Sequence, residues 1–220
     1  MSKLLSYTKN KCKICNNTYL SSINDNNLKK IYLYCNNCEY ISLDKNYIVS
    51  NNLEKKRYLL HNNNPENEDY VNYLCKIINN IPINTKHQKI LDFGCGSAPV
   101  LAKLLKERNL YVDVYDKFFS PKKIYYFKKY NIITCIEVLE HLKNPLKSFK
   151  LFKKHLKKEG MLVCMTNFHP NDINLFLKWW YKNDITHISF YSKKTIEFIS
   201  KFLNFKIIKI INNNFFIMQK

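Results

Sequence analysis

Four cysteines near the N-terminus, Cys12, Cys15, Cys35 and Cys38, follow the spacing C-x2-C-x19-C-x2-C. Each Cys-x-x-Cys pair can present two thiolates from one tight turn. A hairpin between the pairs would gather four sulfurs, the ligand set of a closed, structural Zn2+ site. Turns of this kind need a residue that tolerates positive φ, and Asn16, Asn36 and Asn37 meet that need. A redox dithiol or idle thiols are the alternative, but two matched pairs in a polar segment too small for its own core speak against it. Cys75, Cys95, Cys135 and Cys164 lie in apolar or strand contexts and read as small core residues.

A second group surrounds the run Leu91-Asp92-Phe93-Gly94-Cys95-Gly96-Ser97-Ala98. Glycines at a strand-to-helix turn let the backbone approach a ligand, and the helix N-terminus then faces it. Asp116 stands 20 residues after Gly96, at the end of the next expected strand. An acidic side chain there reaches ribose hydroxyls in a nucleotide-type fold. Glu137, Glu140 and His141 are spaced i, i+3, i+4 and would share one helical face. Their oxygens and imidazole suit either a divalent cation (Mg2+, Mn2+ or Zn2+) or acid–base work in a pocket. Arg57, Tyr58 and His61 precede the sheet and are either ligand contacts or part of a solvated linker helix. Phe176, Trp179, Trp180, Tyr181 and Phe190 would stack a flat substrate or, at helical spacing, fill a core.

The elements that must hold these residues follow from periodicity and punctuation. Short strand-like runs at 18–21, 30–34 and 39–43 flank the cysteines. Residues 51–80 read as two helical pieces, the second starting near Pro65 and burying Val71, Leu74, Cys75 and Ile78. From Lys89 strands and helices alternate: strands at 90–93, 111–115, 131–136 and 161–166, helices at 98–108, 145–158 (closed by Gly160) and 193–202 (capped by Ser192). Strands at 205–211 and 215–219 frame Asn212-Asn213-Asn214 as a hairpin. This pattern predicts an α/β sheet, mostly parallel, with an antiparallel edge.

Asp-x-Gly-x-Gly before a helix, an Asp ending the second strand, and Ile136-Glu137-Val138-Leu139-Glu140-His141-Leu142 ending a later one resemble class I S-adenosylmethionine-dependent methyltransferases. The likeness runs over about 52–220 and is nearest the group that includes ubiquinone-pathway O-methyltransferases, to which Trp180-Tyr181-Lys182-Asn183-Asp184-Ile185-Thr186-His187-Ile188-Ser189-Phe190 is also similar. The resemblance implies a Rossmann-like class I methyltransferase sheet with an antiparallel terminal hairpin, plus a small N-terminal zinc ribbon. It divides the chain into a zinc-ribbon segment (1–45), a helical linker or lid (46–85) and a methyltransferase domain (86–220). It implies S-adenosyl-L-methionine as cofactor: Asp92, Gly94 and Gly96 at its methionine part, Asp116 on the ribose, and Glu137 facing the sulfonium and the substrate. His141, with Glu137 second, is then the expected general base. Small-RNA 3′-end 2′-O-methyltransferases have a similar Glu-x-x-Glu-His and a later histidine, which implies a second metal set of Glu137, Glu140, His141 and His187. The chain departs from the family in having Ala98 nearest the third glycine. Only about 15 residues separate Asp116 from the next main strand, so the usual helix and third strand must shrink, to about 123–127.

The chain has 220 residues with 46% hydrophobic and 15% aromatic content, ample for a core. No apolar run is long enough to span a membrane, and the first residues lack the apolar stretch of a signal peptide, so a cytoplasmic setting is expected. Net charge is +19, yet of 36 basic residues only Arg57 and Arg108 are arginine, the better reader of phosphates. Lys, Asn, Ile, Tyr and Phe, all abundant here, share A/T-rich codons, which suffices to explain the charge. Three functions remain open at this level: methyl transfer to a small-molecule or sugar-like acceptor, methyl transfer to RNA guided by the zinc ribbon, and a non-catalytic binding module of the same fold. The intact Asp92, Gly94, Gly96, Asp116 and Glu137 argue against the third.

Overall fold

A computed structural model of the chain describes residues 7, 8 and 10–220. The leader expectation rests partly on residues 1–6 and 9, which lie outside the described residues. Among the described residues two sheets form. The N-terminal one contains β1 (Tyr7–Thr8), β2 (Leu20–Asp25), β3 (Lys30–Tyr34) and β4 (Ile41–Leu43), all antiparallel. Two helices follow, α1 (Asn51–Leu59) and α2 (Glu68–Ile78). The expected start of α2 at Pro65 shifts: Asn67 caps the helix, accepting from the Tyr70 N–H, and Pro65 stays in the preceding turn.

The larger sheet then builds from β5 (Lys89–Phe93), β6 (Tyr111–Tyr115) and β7 (Tyr130–Ile136), with α3 (Val100–Lys106) between β5 and β6. Next come α4 (Pro145–His155), β8 (Leu156–Met165) and α5 (Ile173–Lys178), followed by β9 (Ser189–Phe190), α6 (Lys193–Phe202), β10 (Lys206–Ile211) and β11 (Phe215–Gln219). The order is β10-β11-β8-β7-β5-β6. β5 to β8 run parallel, and β11 and β10 are antiparallel. Asn212 and Asn213 take positive φ at the hairpin tip, as a tight turn between twisted strands demands. No described strand lies beyond β6; residues 117–129 hold one 3-10 turn, Ile124–Phe127.

Alternation along β7 and β8 sends successive side chains to opposite faces. Ile133, Cys135, Leu162 and Cys164 meet Phe149 and Phe152 of α4 and Ile196 and Ile199 of α6. Ile132 and Val163 face Leu74, Ile77 and Ile78 of α2 with Val100, Leu101 and Leu105 of α3. Gly160 does not close α4, which ends at His155. It lies inside β8, where an added Cβ would sit 3.0 Å from the Lys157 carbonyl oxygen and 3.1 Å from that of Tyr130. Its role is close backbone approach.

β9, from the C-terminal half, pairs with β4 and completes the N-terminal sheet. That sheet has its own core, with Ile23, Tyr32, Ile41 and Leu43 against Phe176, Tyr181, Ile188 and Phe190. No helix among the described residues is long and apolar enough to cross a membrane.

Candidate active site

The C-terminal ends of β5, β6, β7 and β8 open into a cavity of about 740 Å³. Register sets its floor: β5 pairs with β7 so that Asp92 faces Thr134, whose hydroxyl donates to Asp92 Oδ1 at 2.9 Å. Asp92 is only 3% exposed, and burial pushes its carboxyl up to about 6, with the Asp116 charge adding to the rise. The chain then turns through Gly94 (φ +88) and Gly96 (φ +70). An added Cβ at Gly94 would lie 2.3 Å from Val138 Cγ2, whereas at Gly96 it would meet nothing within 4 Å and stand in the cavity. Asp116 is 8% exposed; Oδ1 accepts from the Phe118 and Phe119 N–H groups and Oδ2 from Gly96 N–H at 3.3 Å. The acid thus locks its own loop to the glycine turn.

Glu137 directly follows β7 with φ +53, and Leu139–His141 is a 3-10 turn in place of the expected α-helical face. Tyr73 of α2 donates to Glu137 Oε1 at 3.3 Å and Tyr181 to Oε2 at 3.1 Å. Glu140 is fully buried, and neither carboxylate oxygen has a partner at hydrogen-bond geometry among the described residues. The nearby hydroxyls of Thr166 and Tyr181 engage each other and Glu137. Burial, with the neighbouring Glu137 charge, pushes the Glu140 carboxyl well up; burial raises Glu137 too, against hydrogen bonds that favour its charged form.

Two histidines face Glu140. His141 Nδ1 lies 3.0 Å from the Thr186 carbonyl oxygen and His187 Nδ1 2.7 Å from that of Tyr181. Each Nδ1–H therefore donates to the backbone, leaving the Nε2 lone pair free; His141 Nε2 is 3.8 Å from Glu140 Oε1. Burial and the nearby His187 push His141 down to about 3, so the ring is neutral. Ligand atoms of Glu140, His141 and His187 lie within 4.8 Å of one another. An unpartnered carboxylate and two imidazoles oriented by backbone carbonyls are a donor set that fits a divalent cation. Glu137 is outside that cluster, held by its two tyrosines.

The four N-terminal cysteines also converge, with Sγ atoms mutually within 4.8 Å, Cys12 to Cys38 at 3.6 Å and Cys15 to Cys35 at 3.4 Å. A tetrahedron with Zn–S bonds of ~2.3 Å has edges of about 3.8 Å, so the set fits zinc. Asn16 (φ +60) takes the expected left-handed position. In the second knuckle it is Glu39 (φ +60), not Asn36 or Asn37. Both follow the second cysteine, and each donates its N–H to the first cysteine's carbonyl.

Of the other candidates, Tyr58 and His61 line the cavity, whereas Arg57 pairs with Asp184 at 2.8 Å. Phe176 and Phe190 are core; Tyr181 and the exposed Trp180 reach the cavity. Cys95 lines the cavity and is not a core residue. Sequence reasoning missed Tyr70 and Tyr73, whose i, i+3 spacing on α2 is a readable signal. It also missed Glu54, buried at 4%, which pairs with Lys117 at 2.6 Å and ties α1 to the residue after Asp116.

A Rossmann-like sheet with a glycine turn after its first strand and an acid after its second defines the chain as an α/β protein of the class I methyltransferase fold. A family profile described as a methyltransferase domain matches residues 60–210, more than half of the chain, and the chain belongs to that family. A ubiquinone biosynthesis O-methyltransferase from Histophilus somni (strain 2336) is 29% identical over 120 residues, 42% of this chain and 48% of that protein. The chain thus matches about half the length of that curated relative. Among solved structures, an O-methyltransferase family protein from Burkholderia thailandensis superposes with a TM-score of 0.52 at 10% identity, covering 70% of this chain and 55% of that one. TnmH gives a TM-score of 0.52 at 9% identity, with 69% and 55% covered. These two share the fold.

Proposed function

We propose that the chain transfers the methyl group of S-adenosylmethionine to a small-molecule acceptor held in the cavity. The observation that carries this is the wall's charge. Asp92, Asp116, Glu137 and Asp184 line the cavity beside a Glu140 that burial pushes towards its neutral form, and Lys117, paired with Glu54, is its one lysine or arginine among the described residues. In a chain of net charge +19, an acid-lined cavity selects a cationic ligand and repels phosphates. That favours a sulfonium cofactor over a dinucleotide at the same glycine turn, and a small acceptor over a nucleic acid.

Gly94 and Gly96 would cradle the methionine part and Asp116 the ribose, with Asp92 and Glu137 beside the sulfonium. Bound there, the cofactor supplies a methyl group already activated for in-line displacement, which leaves the protein to position the acceptor and take a proton. Tyr73 and Tyr181 fix the Glu137 carboxylate at the acceptor side. Glu137, with raised proton affinity, is the better base; His141, pushed down to about 3, binds a proton too weakly. A second reading, favoured by the unpartnered Glu140 carboxylate, adds a divalent cation on Glu140, His141 and His187 that would polarise an acceptor oxygen. The four cysteines would hold a structural Zn2+.

Methyl-labelled S-adenosylmethionine incubated with the chain and fractionated cell extract tests this. Label is expected in the small-molecule fraction; label in RNA would overturn the acceptor class. For the cation, Mn2+ binding followed by electron paramagnetic resonance should be lost in Glu140→Gln.

A further inference from the structure

The cysteine sheet and the acceptor side of the cavity share one segment, residues 180–190, and its residues bridge the two. Ile188 accepts from Leu43 N–H of β4 at 3.0 Å and donates its own N–H to the Glu140 carbonyl at 2.8 Å. Ser189 donates its hydroxyl to the Leu142 carbonyl at 2.7 Å, so the Tyr40 hydroxyl donates to Ser189 Oγ at 2.6 Å. The Tyr181 ring belongs to the core of the N-terminal sheet, while its hydroxyl donates to Glu137 and its carbonyl orients His187. Next to it, Lys182 makes a buried ion pair with Asp25 of β2 at 2.5 Å, both side chains almost inaccessible. On the other flank, the second cysteine knuckle is stitched to α6, where Thr195 Oγ1 donates to the Cys38 carbonyl at 2.8 Å and Ser192 Oγ to Glu39 Oε2 at 2.9 Å.

We infer that the four-cysteine sheet is an intramolecular brace for the acceptor side of the active site, with Lys182 and Asp25 as positioning residues, and not a module that recruits a separate partner. Tyr181 and Ile188, which orient Glu137, His187 and the Glu140 backbone, are held from behind by this sheet, while Thr186, the acceptor for His141, is held by Asp184 and through it by Arg57 of α1. The cofactor side is built without it: Gly94, Gly96 and Asp116 are fixed by β5, β6 and their own loop. An element so divided loosens one half of a site and spares the other.

The inference rests on reading the cavity as a methyltransferase site, but its test reads loop order, so the two fail separately. The full chain is compared with Lys182→Met, with Lys182→Arg as the conservative rescue, by amide hydrogen exchange, by nitrogen NMR of the histidine rings at pH 8, and by calorimetric titration of S-adenosylhomocysteine. In Lys182→Met, exchange at 181–190 and 139–142 should rise at least ~10-fold, while the turn at 92–98 stays as protected as before. His187, oriented by the Tyr181 carbonyl, should lose its single Nδ1–H tautomer, Lys182→Arg should restore it, and S-adenosylhomocysteine affinity should stay within about twofold of wild type, since its contacts are untouched. If Lys182→Met fails to fold, Tyr40→Phe, which removes one hydroxyl on the brace side, should move the same amides about threefold in the same direction. Unchanged exchange and tautomers in a folded variant would overturn the brace. Equal loss of protection at 92–98 and at 181–190 would overturn it too, since the effect would then be global. Loss of S-adenosylhomocysteine binding by the wild-type chain would strike the methyltransferase reading alone.

Discussion

Gly94→Ala and Gly96→Ala perturb neighbouring positions of one turn and should fail in different ways. At Gly94 the new Cβ would meet Val138 Cγ2 at 2.3 Å and Cγ1 at 2.9 Å, on a backbone with φ +88. Overpacking typically costs about 1–3 kcal/mol and a left-handed non-glycine residue about 1–2 kcal/mol, so the sum is about 2–5 kcal/mol. For a chain of this size that lowers the melting temperature by roughly 4–20 °C, at about 2–4 °C per kcal/mol. At Gly96 (φ +70) the methyl clashes with no protein atom, so only the conformational strain of about 1–2 kcal/mol remains. Its methyl, however, occupies the space assigned to the cofactor, and affinity for S-adenosylhomocysteine should fall at least ~10-fold, a loss of about 1.4 kcal/mol. The assay is calorimetric titration alongside thermal unfolding of both variants. Wild-type affinity in folded Gly96→Ala would refute the placement of the ligand. A Gly94→Ala variant as stable as Gly96→Ala would refute the packing argument.

Other outcomes follow from the same geometry. Metal analysis of protein purified without chelator should find about one Zn2+ per chain, and Cys35→Ser should abolish it; bound zinc contributes on the order of 10 kcal/mol to small modules, so the N-terminal sheet should unfold with it. His141 carries a pH signature. Its folded affinity for a proton is depressed to about 3 against an unfolded value of about 6.5, so the stability it contributes is present above pH 6.5 and lost as pH falls towards 3. At pH 4.5 the loss is about 3 kcal/mol. Denaturant unfolding of wild type and His141→Gln should therefore converge by about that amount between pH 7 and 4.5; parallel curves would show that the ring titrates normally.

The parts of this protein legible in its sequence are those set by local rules. Paired Cys-x-x-Cys knuckles, the glycine turn after Asp92 and the Asn212-Asn213 tip each declare themselves through residue type at fixed spacing, and the structure forms all three turns. Gly160 misled because a glycine after a helix looks like a cap; what it relieves is crowding against the Lys157 backbone and the Tyr130 carbonyl of the neighbouring strand, and the second of these no local window contains. Glu39 took the left-handed position expected of Asn36 or Asn37 because turn geometry places the demand after the second cysteine, whatever residue stands there. Glu137, Glu140 and His141 were visible as a trio. The family resemblance set His187 beside them, but the rest of their environment was not legible, since it is made by Tyr73 and Thr186 across the cavity. The pairing of β4 with β9, which ties the cysteine segment to the acceptor side, joins residues nearly 150 positions apart and has no local signature.

The central claim is that the acid-lined cavity binds a sulfonium nucleoside through the glycine turn and Asp116. Calorimetric titration of the purified chain with S-adenosylmethionine and S-adenosylhomocysteine tests it most directly. One site per chain is expected for both ligands. Asp116→Ala should bind at least ~10-fold more weakly, because a hydrogen bond to a charged group is worth about 1.5–3 kcal/mol. An absence of binding heat at millimolar ligand, or equal affinity in Asp116→Ala, would contradict the account.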